Sequence, residues 1–337
     1  MKNSPLVSIV VVNFNGRKYL KGCFDSLYAG TYANIEIILV DNGSCDGSVS
    51  FVRDNYKRVN IVDLGRNLGL AVASNKGADL AKGKYLFFYN NDTLSGSDLI
   101  ASLVNVLESD SRIGIAGCRT YTYNGERLIN AGVPCDLFGY PYGKTAPFYV
   151  DAAIFISRRL FDLIGRFDEK MFLYGEDRDL CWRCWLYGYE VVVADNAKFF
   201  HDSACITQDL KEYQTNIRKR FLGEFNALRS VLKNYSLGFL IFILPVYMLI
   251  SLAEIIAFLA RGDTSVIKNA YLRSYSENLR DFKSLFVLRK MVQSQRKISD
   301  FALIRHMDII SGKLRLLFAI GLPRFGDKNK YVSSSAV

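Results

Sequence analysis

A small set of acidic, amide and histidine side chains could perform chemistry in this sequence. The set comprises Asp41, Asn90-Asn91-Asp92, Glu176-Asp177 and His201. Carboxylate and amide oxygens bind hard divalent cations and hydrogen-bond to hydroxyl groups, and a positioned carboxylate can also accept a proton. Together these residue types indicate a site that binds a metal ion or a sugar.

Each stretch also has a purely structural interpretation. Asn-Asp-Thr and Asp-Asn-Gly-Ser sequences form turns and helix N-caps. Acidic residues in a first helical turn favour the helix dipole by about 0.3–1 kcal/mol. A lone histidine after an apolar strand, such as His201 in AKFFH, is more often structural than a ligand. The order of the stretches along the chain, rather than any one of them, favours a functional site.

Strand-like and helix-like stretches alternate through the first hundred residues. The strands are predicted at residues 7–13, 35–41, 59–64 and 84–90. Helices are predicted between them, at 16–30, up to about residue 55, and in the stretch that closes at Gly83. This alternation predicts an α/β fold with parallel strands. Ligands bind beyond the carboxyl ends of such strands, so Asp41 and Asp92 are predicted to share one edge of the sheet.

The middle of the chain is less regular. A helix is predicted at residues 96–109, followed by short strands near 113–117, 120–123 and 148–157. A further helix is predicted from Glu176 to Tyr187, a strand at 189–195, and a long basic amphipathic helix at 209–235.

A long apolar stretch follows. Residues 237–260 contain one charged residue, Glu254, and one proline, Pro245. At 1.5 Å per residue this stretch is long enough to cross a bilayer core of about 30 Å. Both flanks are basic, with six Lys/Arg against two acids in 211–235 and nine against three in 261–297. Charge therefore favours neither orientation of a single span, and a re-entrant hairpin broken at Pro245 stays open beside it.

The charge and cysteine content restrict the remaining possibilities. The net charge is +10, and most of the excess lies in the second half, which favours a membrane surface over nucleic acid as partner. The chain has seven cysteines and no signal-like first segment, so we expect reduced thiols and a cytosolic main domain. Cys181 and Cys184 have CxxC spacing, for which packing in a helix is favoured over a redox role.

Four stretches carry a resemblance to a known family. They are VSIVVVNFNGRKYLKGCFDSL, EIILVDNGSCDGS, GRNLGLAVASNKGADLAKGKYLFFYNND and MFLYGEDRDLCWRCWLYGYEV, the last followed by His201. In this order the sequence resembles the family 2 glycosyltransferases over residues 5 to 230, and most closely those similar to rhamnosyltransferases and other cell-envelope sugar transferases. The resemblance implies the GT-A fold. It also implies inverting transfer of a sugar from a nucleotide-diphosphate donor, with Mg²⁺ or Mn²⁺.

The resemblance also implies roles for individual residues. Asp177, paired with Glu176, is expected to be the catalytic base. Asp92 and His201 are expected to be the metal ligands. Donor-binding roles fall to Asn13, Asp41, Asn67, Asn90 and Asn91. Asn90 replaces the first acid of the family's Asp-x-Asp motif, so Asp92 is expected to carry the metal contact.

The resemblance and the composition together predict three regions. Residues 1–235 are the catalytic domain, 236–262 a hydrophobic membrane segment, and 263–337 a basic amphipathic tail. The enzyme is expected at the cytoplasmic face of the membrane, with a lipid-linked or polysaccharide glycan as acceptor.

Three other interpretations of the sequence compete with this one. A dinucleotide-dependent oxidoreductase needs a glycine-rich loop after the first strand, but NFNGRKYL contains only Gly16. A sugar-nucleotide pyrophosphorylase needs a glycine-rich basic loop at the same place, and this loop is also missing from the sequence. A membrane-bound scaffold with a degenerate transferase domain stays open because of Asn90.

Overall fold

The structure, a computed structural model, describes residues 4–141, 147–202 and 214–325. Contacts divide the chain into two units. The first unit contains residues 1–133 and 147–205, and the second contains 134–146 and 206–337. The predicted helix at 209–235 corresponds to α7 (Ile217–Asn234), which packs with other helices of the second unit; residues 209–213 lie outside the described residues.

One sheet of nine strands forms the centre of the described part of the first unit. Its strands are β1 (Val7–Asn13), β2 (Ile35–Asp41), β3 (Val59–Asp63), β4 (Tyr85–Asn90), β5 (Thr93–Ser95), β6 (Ile113–Thr122), β7 (Leu128–Asn130), β8 (Ala153–Ser157) and β9 (Glu190–His201). The order across the sheet is β3-β2-β1-β4-β8-β6-β9-β5, with β7 paired to β6.

The first four strands are parallel, as the alternating pattern predicts. β1 pairs with β2 and β4, and β2 pairs with β3, all in parallel. Five of the six β4 residues are buried, because a central strand of such a sheet is covered on both faces. The register places Asn13 opposite Asp41 and Val12 opposite Asn90. The polar ends of three strands therefore meet at one edge.

The other half of the sheet is mixed and differs in detail from the sequence predictions. β8 is antiparallel to both of its neighbours, β4 and β6, whereas β6 and β9 are parallel. The strands predicted at 113–117 and 120–123 are one strand with a register shift, and the strand predicted at 189–195 continues to His201. β5 was not predicted, because three residues show no periodicity and are held by pairing with β9.

Helices cover the sheet. They are α1 (Arg17–Tyr28), α2 (Ser48–Asn55), α3 (Leu70–Leu80), α4 (Leu99–Ser109), α5 (Arg158–Leu163) and α6 (Glu176–Leu186). α1 illustrates the cause: its buried residues are Leu20, Cys23, Phe24 and Leu27, one stripe at helical spacing. This stripe joins the core formed with β1, β2 and β4.

The described part of the second unit is mainly helical. Besides α7 it contains α8 (Leu237–Ala260), α9 (Thr264–Val266), a π-helical segment (Ile267–Leu272), α10 (Arg273–Arg280), α11 (Phe282–Gln295), α12 (Asp300–Leu303), a 3₁₀ turn (Ile304–His306) and α13 (Gly312–Ile320). Two short strands, β10 (Gln214–Thr215) and β11 (Arg324–Phe325), pair in parallel. Within the described residues α8 alone has the length and composition to cross a membrane, and a third of its apolar stretch is buried.

Candidate functional site

A network of buried polar side chains lies where β1 and β2 end. Asn13 Nδ2 donates to Asp41 Oδ1 at 2.9 Å and lies 3.0 Å from Ser44 Oγ. The backbone N–H of Ser44 donates to the other Asp41 oxygen at 2.8 Å. Both Asn13 and Asp41 are buried. The structure therefore brings together two of the five residues for which a donor-binding role is predicted.

Asn91 belongs to the same network. Its Nδ2 donates to Asn13 Oδ1 at 2.6 Å. Gly16 makes this contact possible, because a Cβ at that position would lie 2.0 Å from Asn91 Nδ2 and 2.6 Å from Asn13 Oδ1. The Asn-Asn-Asp stretch is thus joined through Asn91 to the strand ends that carry Asn13 and Asp41.

Asn67 enters the site through a residue that the sequence analysis did not assign. Asn42 Nδ2 donates to Asn67 Oδ1 at 3.0 Å, and Asn42 Oδ1 accepts from the Leu68 backbone N–H at 2.8 Å. Asn67 Oδ1 also accepts from the Gly69 N–H at 3.0 Å. Asn42 therefore fixes the loop before α3 beside the end of β2. Its position directly after Asp41 was the available signal.

Asp92 and His201 are in contact. Asp92 Oδ1 lies 3.1 Å from His201 Nε2, and the two side chains are 15% and 13% exposed. Pairing of β5 with β9 brings them together, because Thr93 is opposite His201. A carboxylate and an imidazole that both reach solvent suit a divalent cation whose other ligands come from water or substrate. Within the described residues no group of three or more such side chains could hold a metal ion.

Asn90 is held by its backbone. Its N–H donates to the Ala152 carbonyl at 3.3 Å, and its own carbonyl accepts from the Thr93 hydroxyl. These contacts fix the turn that presents Asn91 and Asp92. A donor-binding role for the Asn90 side chain stays a prediction.

Glu176 and Asp177 begin α6, and both have raised pKa values. Burial, followed by the charge of Asp177, raises the pKa of Glu176 to about 8. Burial, followed by the charge of Asp151, raises the pKa of Asp177 to about 7. The Arg178 backbone N–H donates to Asp177 Oδ1 at 2.7 Å and opposes this shift. Burial and the like charge of Asp151 therefore outweigh this hydrogen bond in setting the pKa of Asp177.

Asp151 is the acidic residue of the site that the sequence analysis missed. It lies just before β8, and burial raises the pKa of its carboxyl while the charge of His201 opposes this. The next residue, Ala152, adopts a left-handed φ of +59°, which is costly for a residue with a Cβ. The signal in the sequence was a single acid between two apolar stretches, YV and AAIFIS.

The loop before α6 is held against α3. The Leu70 N–H donates to the Phe172 carbonyl at 2.7 Å. Asn75 donates to the Phe167 carbonyl at 3.0 Å and accepts from its N–H at 3.2 Å. Gly175 then adopts φ of +108° as the residue before the helix, a region that glycine enters without penalty. These contacts fix the position at which Glu176 and Asp177 enter the site.

The CxxC pair has a packing role. Cys181 and Cys184 are both buried in α6. Burial raises the pKa of both thiols above the ordinary value, which disfavours the reactive thiolate.

Several known proteins are similar to this chain in sequence. The profile of Glycosyl transferase family 2 matches residues 8–192. The uncharacterized glycosyltransferase RT0329 of Rickettsia typhi is 27% identical over 315 residues, which cover 87% of this chain and 92% of that protein. Glycosyltransferase GlyG of Streptococcus pneumoniae is 36% identical over 124 residues. That match covers only 35% of this chain and 40% of GlyG.

Solved structures share the fold. GalNAc-T7, crystallised with UDP, GalNAc and Mn²⁺, superimposes with a TM-score of 0.56 at 20% identity, covering 69% of this chain and 48% of that one. The mannosyltransferase PcManGT of Pyrobaculum calidifontis, in complex with GDP-Man and Mn²⁺, superimposes with a TM-score of 0.52 at 16% identity. That match covers 87% of this chain and 86% of PcManGT. These likenesses confirm the predicted α/β GT-A fold.

Proposed function

This chain belongs to glycosyl transferase family 2, and from that premise we propose that it transfers a sugar from a nucleotide-diphosphate donor to a hydroxyl group of a glycan acceptor. The proposed reaction is a single displacement that inverts the anomeric carbon. Asp177 accepts the proton of the acceptor hydroxyl as that oxygen attacks. The bond to the donor diphosphate breaks in the same step, and the nucleotide diphosphate leaves.

The observation that carries this proposal is the raised pKa of Asp177. A carboxylate of ordinary pKa is a poor base, whereas a pKa of about 7 is matched to proton abstraction at neutral pH. The hydrogen bond from the Arg178 N–H orients one oxygen of Asp177. Glu176, whose pKa is raised further, stays largely protonated at pH 7, so it limits the negative charge around the base.

The donor is proposed to bind along the polar edge of the sheet. Asn13 and Asp41 would contact the nucleoside, together with Asn67 and Asn91. Asp92 and His201 would hold Mg²⁺ or Mn²⁺. Mn²⁺ is the ion present in the GalNAc-T7 and PcManGT complexes. Such an ion, when bound, neutralises charge on a leaving diphosphate.

Release of nucleotide diphosphate tests the reaction. A panel of nucleotide sugars would be incubated with the full chain, Mn²⁺ or EDTA, and a membrane extract as acceptor. We expect release with one donor and its loss with EDTA. Asp177→Asn should reduce the rate about 10²–10⁴-fold, the usual contribution of a general base. Asp54→Asn on the exposed face of α2 is the matched control. Silence with every donor, combined with no donor binding, would overturn the proposal in favour of a degenerate scaffold.

The acceptor is proposed to be lipid-linked, and the enzyme to act at the cytoplasmic face of the cell membrane. The support is α8, with its apolar composition, and the basic stretches on both sides of it. The test compares kcat/KM for a polyprenyl-phosphate-linked glycan in vesicles with that for the same glycan without lipid. A preference for the lipid-linked form is expected, and equal values would contradict this part of the proposal.

A further inference from the structure

Exposed apolar side chains are concentrated in the second unit. Among the described residues, 23 large hydrophobic side chains are exposed, and 18 of them lie between Leu237 and Phe318. Nine of these 18 belong to α8, where Leu237, Ile241 and Phe242 are each more than 70% exposed. On α8 the exposed positions recur every three or four residues, as on one face of a helix, and an apolar face of this length marks a binding surface for a membrane or a protein.

The exposed charges of the second unit are mainly basic. Nine Lys/Arg are exposed in residues 215–325: Arg261, Lys268, Arg273, Arg280, Lys283, Lys290, Lys297, Arg305 and Arg324. The acids of the same described range are buried or partly buried, and two of them, Asp263 and Glu277, form ion pairs with Arg261 and Arg280. Basic and apolar residues also alternate on α11, where Phe282, Phe286 and Val287 are exposed beside Lys283 and Lys290. Such a surface suits a bilayer that contains anionic lipid.

The one charge of α8 is tied to other helices of the second unit. Glu254 Oε1 lies 2.6 Å from a guanidinium nitrogen of Arg220 on α7, and Oε2 lies 2.8 Å from Lys313 Nζ on α13. Both cations also contact Glu224, at 3.0 and 2.7 Å. Tyr271 donates to Glu254 Oε2 at 3.0 Å. All four charged side chains are at most 10% exposed.

This network opposes a crossing of the bilayer by α8. A spanning α8 would either take Glu254 into the hydrocarbon without its cations or draw Arg220 and Lys313 in with it, and both are unfavourable. The buried face of α8 also extends along most of the helix, from Ile243 to Phe258. Only the opposite face is left for lipid.

We propose that the second unit docks on an anionic bilayer from one side, with the outer face of α8 and the apolar side chains of α11 inserted into a single leaflet. Neither a span nor a re-entrant hairpin is formed. This inference deepens the membrane localisation proposed above, and it does not depend on the transferase reaction. A second copy of the chain is a poorer occupant, because two surfaces with the same positive charge would face each other.

Thiol labelling tests the single-sided topology in inside-out membrane vesicles from cells that express the full chain. Cys45 is exposed in the first unit. Gln295 is exposed at the end of α11, beyond α8, and is about two and a half turns from Phe286, so it lies on the side of α11 opposite to that phenyl ring. A membrane-impermeant maleimide is applied to the Gln295→Cys variant, and peptide mass spectrometry locates the label. We expect both positions to be labelled in intact vesicles. Labelling of position 295 only after detergent is added would show a span and overturn the proposal.

Vesicle binding tests the surface itself. Phe282→Ser/Phe286→Ser should weaken binding to phosphatidylglycerol-containing vesicles at least about tenfold, because two exposed phenyl rings are lost from the insertion. Leu80→Ser/Leu163→Ser, which removes two exposed leucines of the first unit, should leave binding unchanged. Circular dichroism would verify that both variants are folded. Nucleotide-diphosphate release would show whether they still act on the donor. Equal binding to phosphatidylcholine alone, or a soluble dimer that ignores vesicles, would refute the inference.

Discussion

Replacement of Asp151 by asparagine tests how the site sets the pKa of its base. In the native chain the pKa of Asp177 is raised to about 7, first by burial and then by the charge of Asp151. The substitution removes that charge and keeps the size of the side chain. Burial of Asp177 is unchanged, so its pKa should fall but stay above the ordinary value.

The magnitude follows from the ionised fraction of Asp177. With a pKa of about 7, about one-tenth of the enzyme carries the base form at pH 6, and kcat/KM falls about tenfold for each pH unit below. A neighbouring like charge shifts a carboxyl pKa by about one unit or more. In Asp151→Asn the acidic limb should therefore move down by about one unit, so that activity at pH 6 rises to about half of the plateau.

The assay is a profile of initial rates of nucleotide-diphosphate release between about pH 5 and 9, with kcat/KM obtained at each pH. Asn130→Ala is the matched control. Asn130 Nδ2 contacts Asp151 Oδ1 at 3.5 Å, so this variant disturbs the same place and keeps the Asp151 carboxyl. Because that contact lowers the pKa of Asp151, its loss should move the acidic limb in the same direction as Asp151→Asn but by less.

Two results would refute the reasoning. An acidic limb near pH 4 in the native enzyme would show that Asp177 is not perturbed or is not the base. Loss of turnover at every pH in Asp151→Asn, with donor binding intact, would show that Asp151 itself takes part in the reaction.

Three further predictions concern other parts of the molecule. Gly16→Ala should raise the KM for the donor, because its Cβ displaces the Asn91 amide from the donor network; Gly223→Ala, which has open space, is the kinetic control. Lys313→Met should lower the free energy of unfolding by about 3–5 kcal/mol, since two buried carboxylates lose a cation, and denaturant unfolding of the full chain would measure this. The raised pKa of Glu176 means that the folded state binds its proton more tightly than the unfolded state, so stability should fall as pH rises from about 4.5 to 8. Over that pH interval the free energy of unfolding of Glu176→Gln should fall by about 1–4 kcal/mol less than that of the native chain, as measured by thermal or denaturant unfolding. An equal fall in both proteins would contradict the assignment of the raised pKa to Glu176.

Local patterns in the sequence were sufficient for the parallel half of the fold. Buried apolar runs and helical stripes are properties of neighbouring residues, so β1, β2, β3 and β4 and the helices between them were predicted near their observed bounds. The polar residues at the strand ends were predicted for the same reason. In a parallel sheet the ends of adjacent strands must lie together, which made the meeting of Asn13, Asp41 and Asn91 foreseeable.

Long-range pairing decided the rest of the site. β5 has no pattern of its own and exists because it pairs with β9, and that pairing brings Asp92 to His201. Asp151 reaches the site through the antiparallel position of β8, which no local signal specified.

The partners of the one charge in the apolar stretch were also decided by the tertiary structure. The sequence determined that residues 237–260 are apolar and contain one acid, which allowed a span, a hairpin or a buried helix. The folded chain provides Glu254 with Arg220 and Lys313 from separate helices, and the cost of parting those charges is what opposes a crossing. The pKa of Asp177 has the same origin, because burial and the charge of Asp151 come from residues distant in the chain. Composition and spacing thus determined which groups were available, and only tertiary structure decided their solvation and their neighbours.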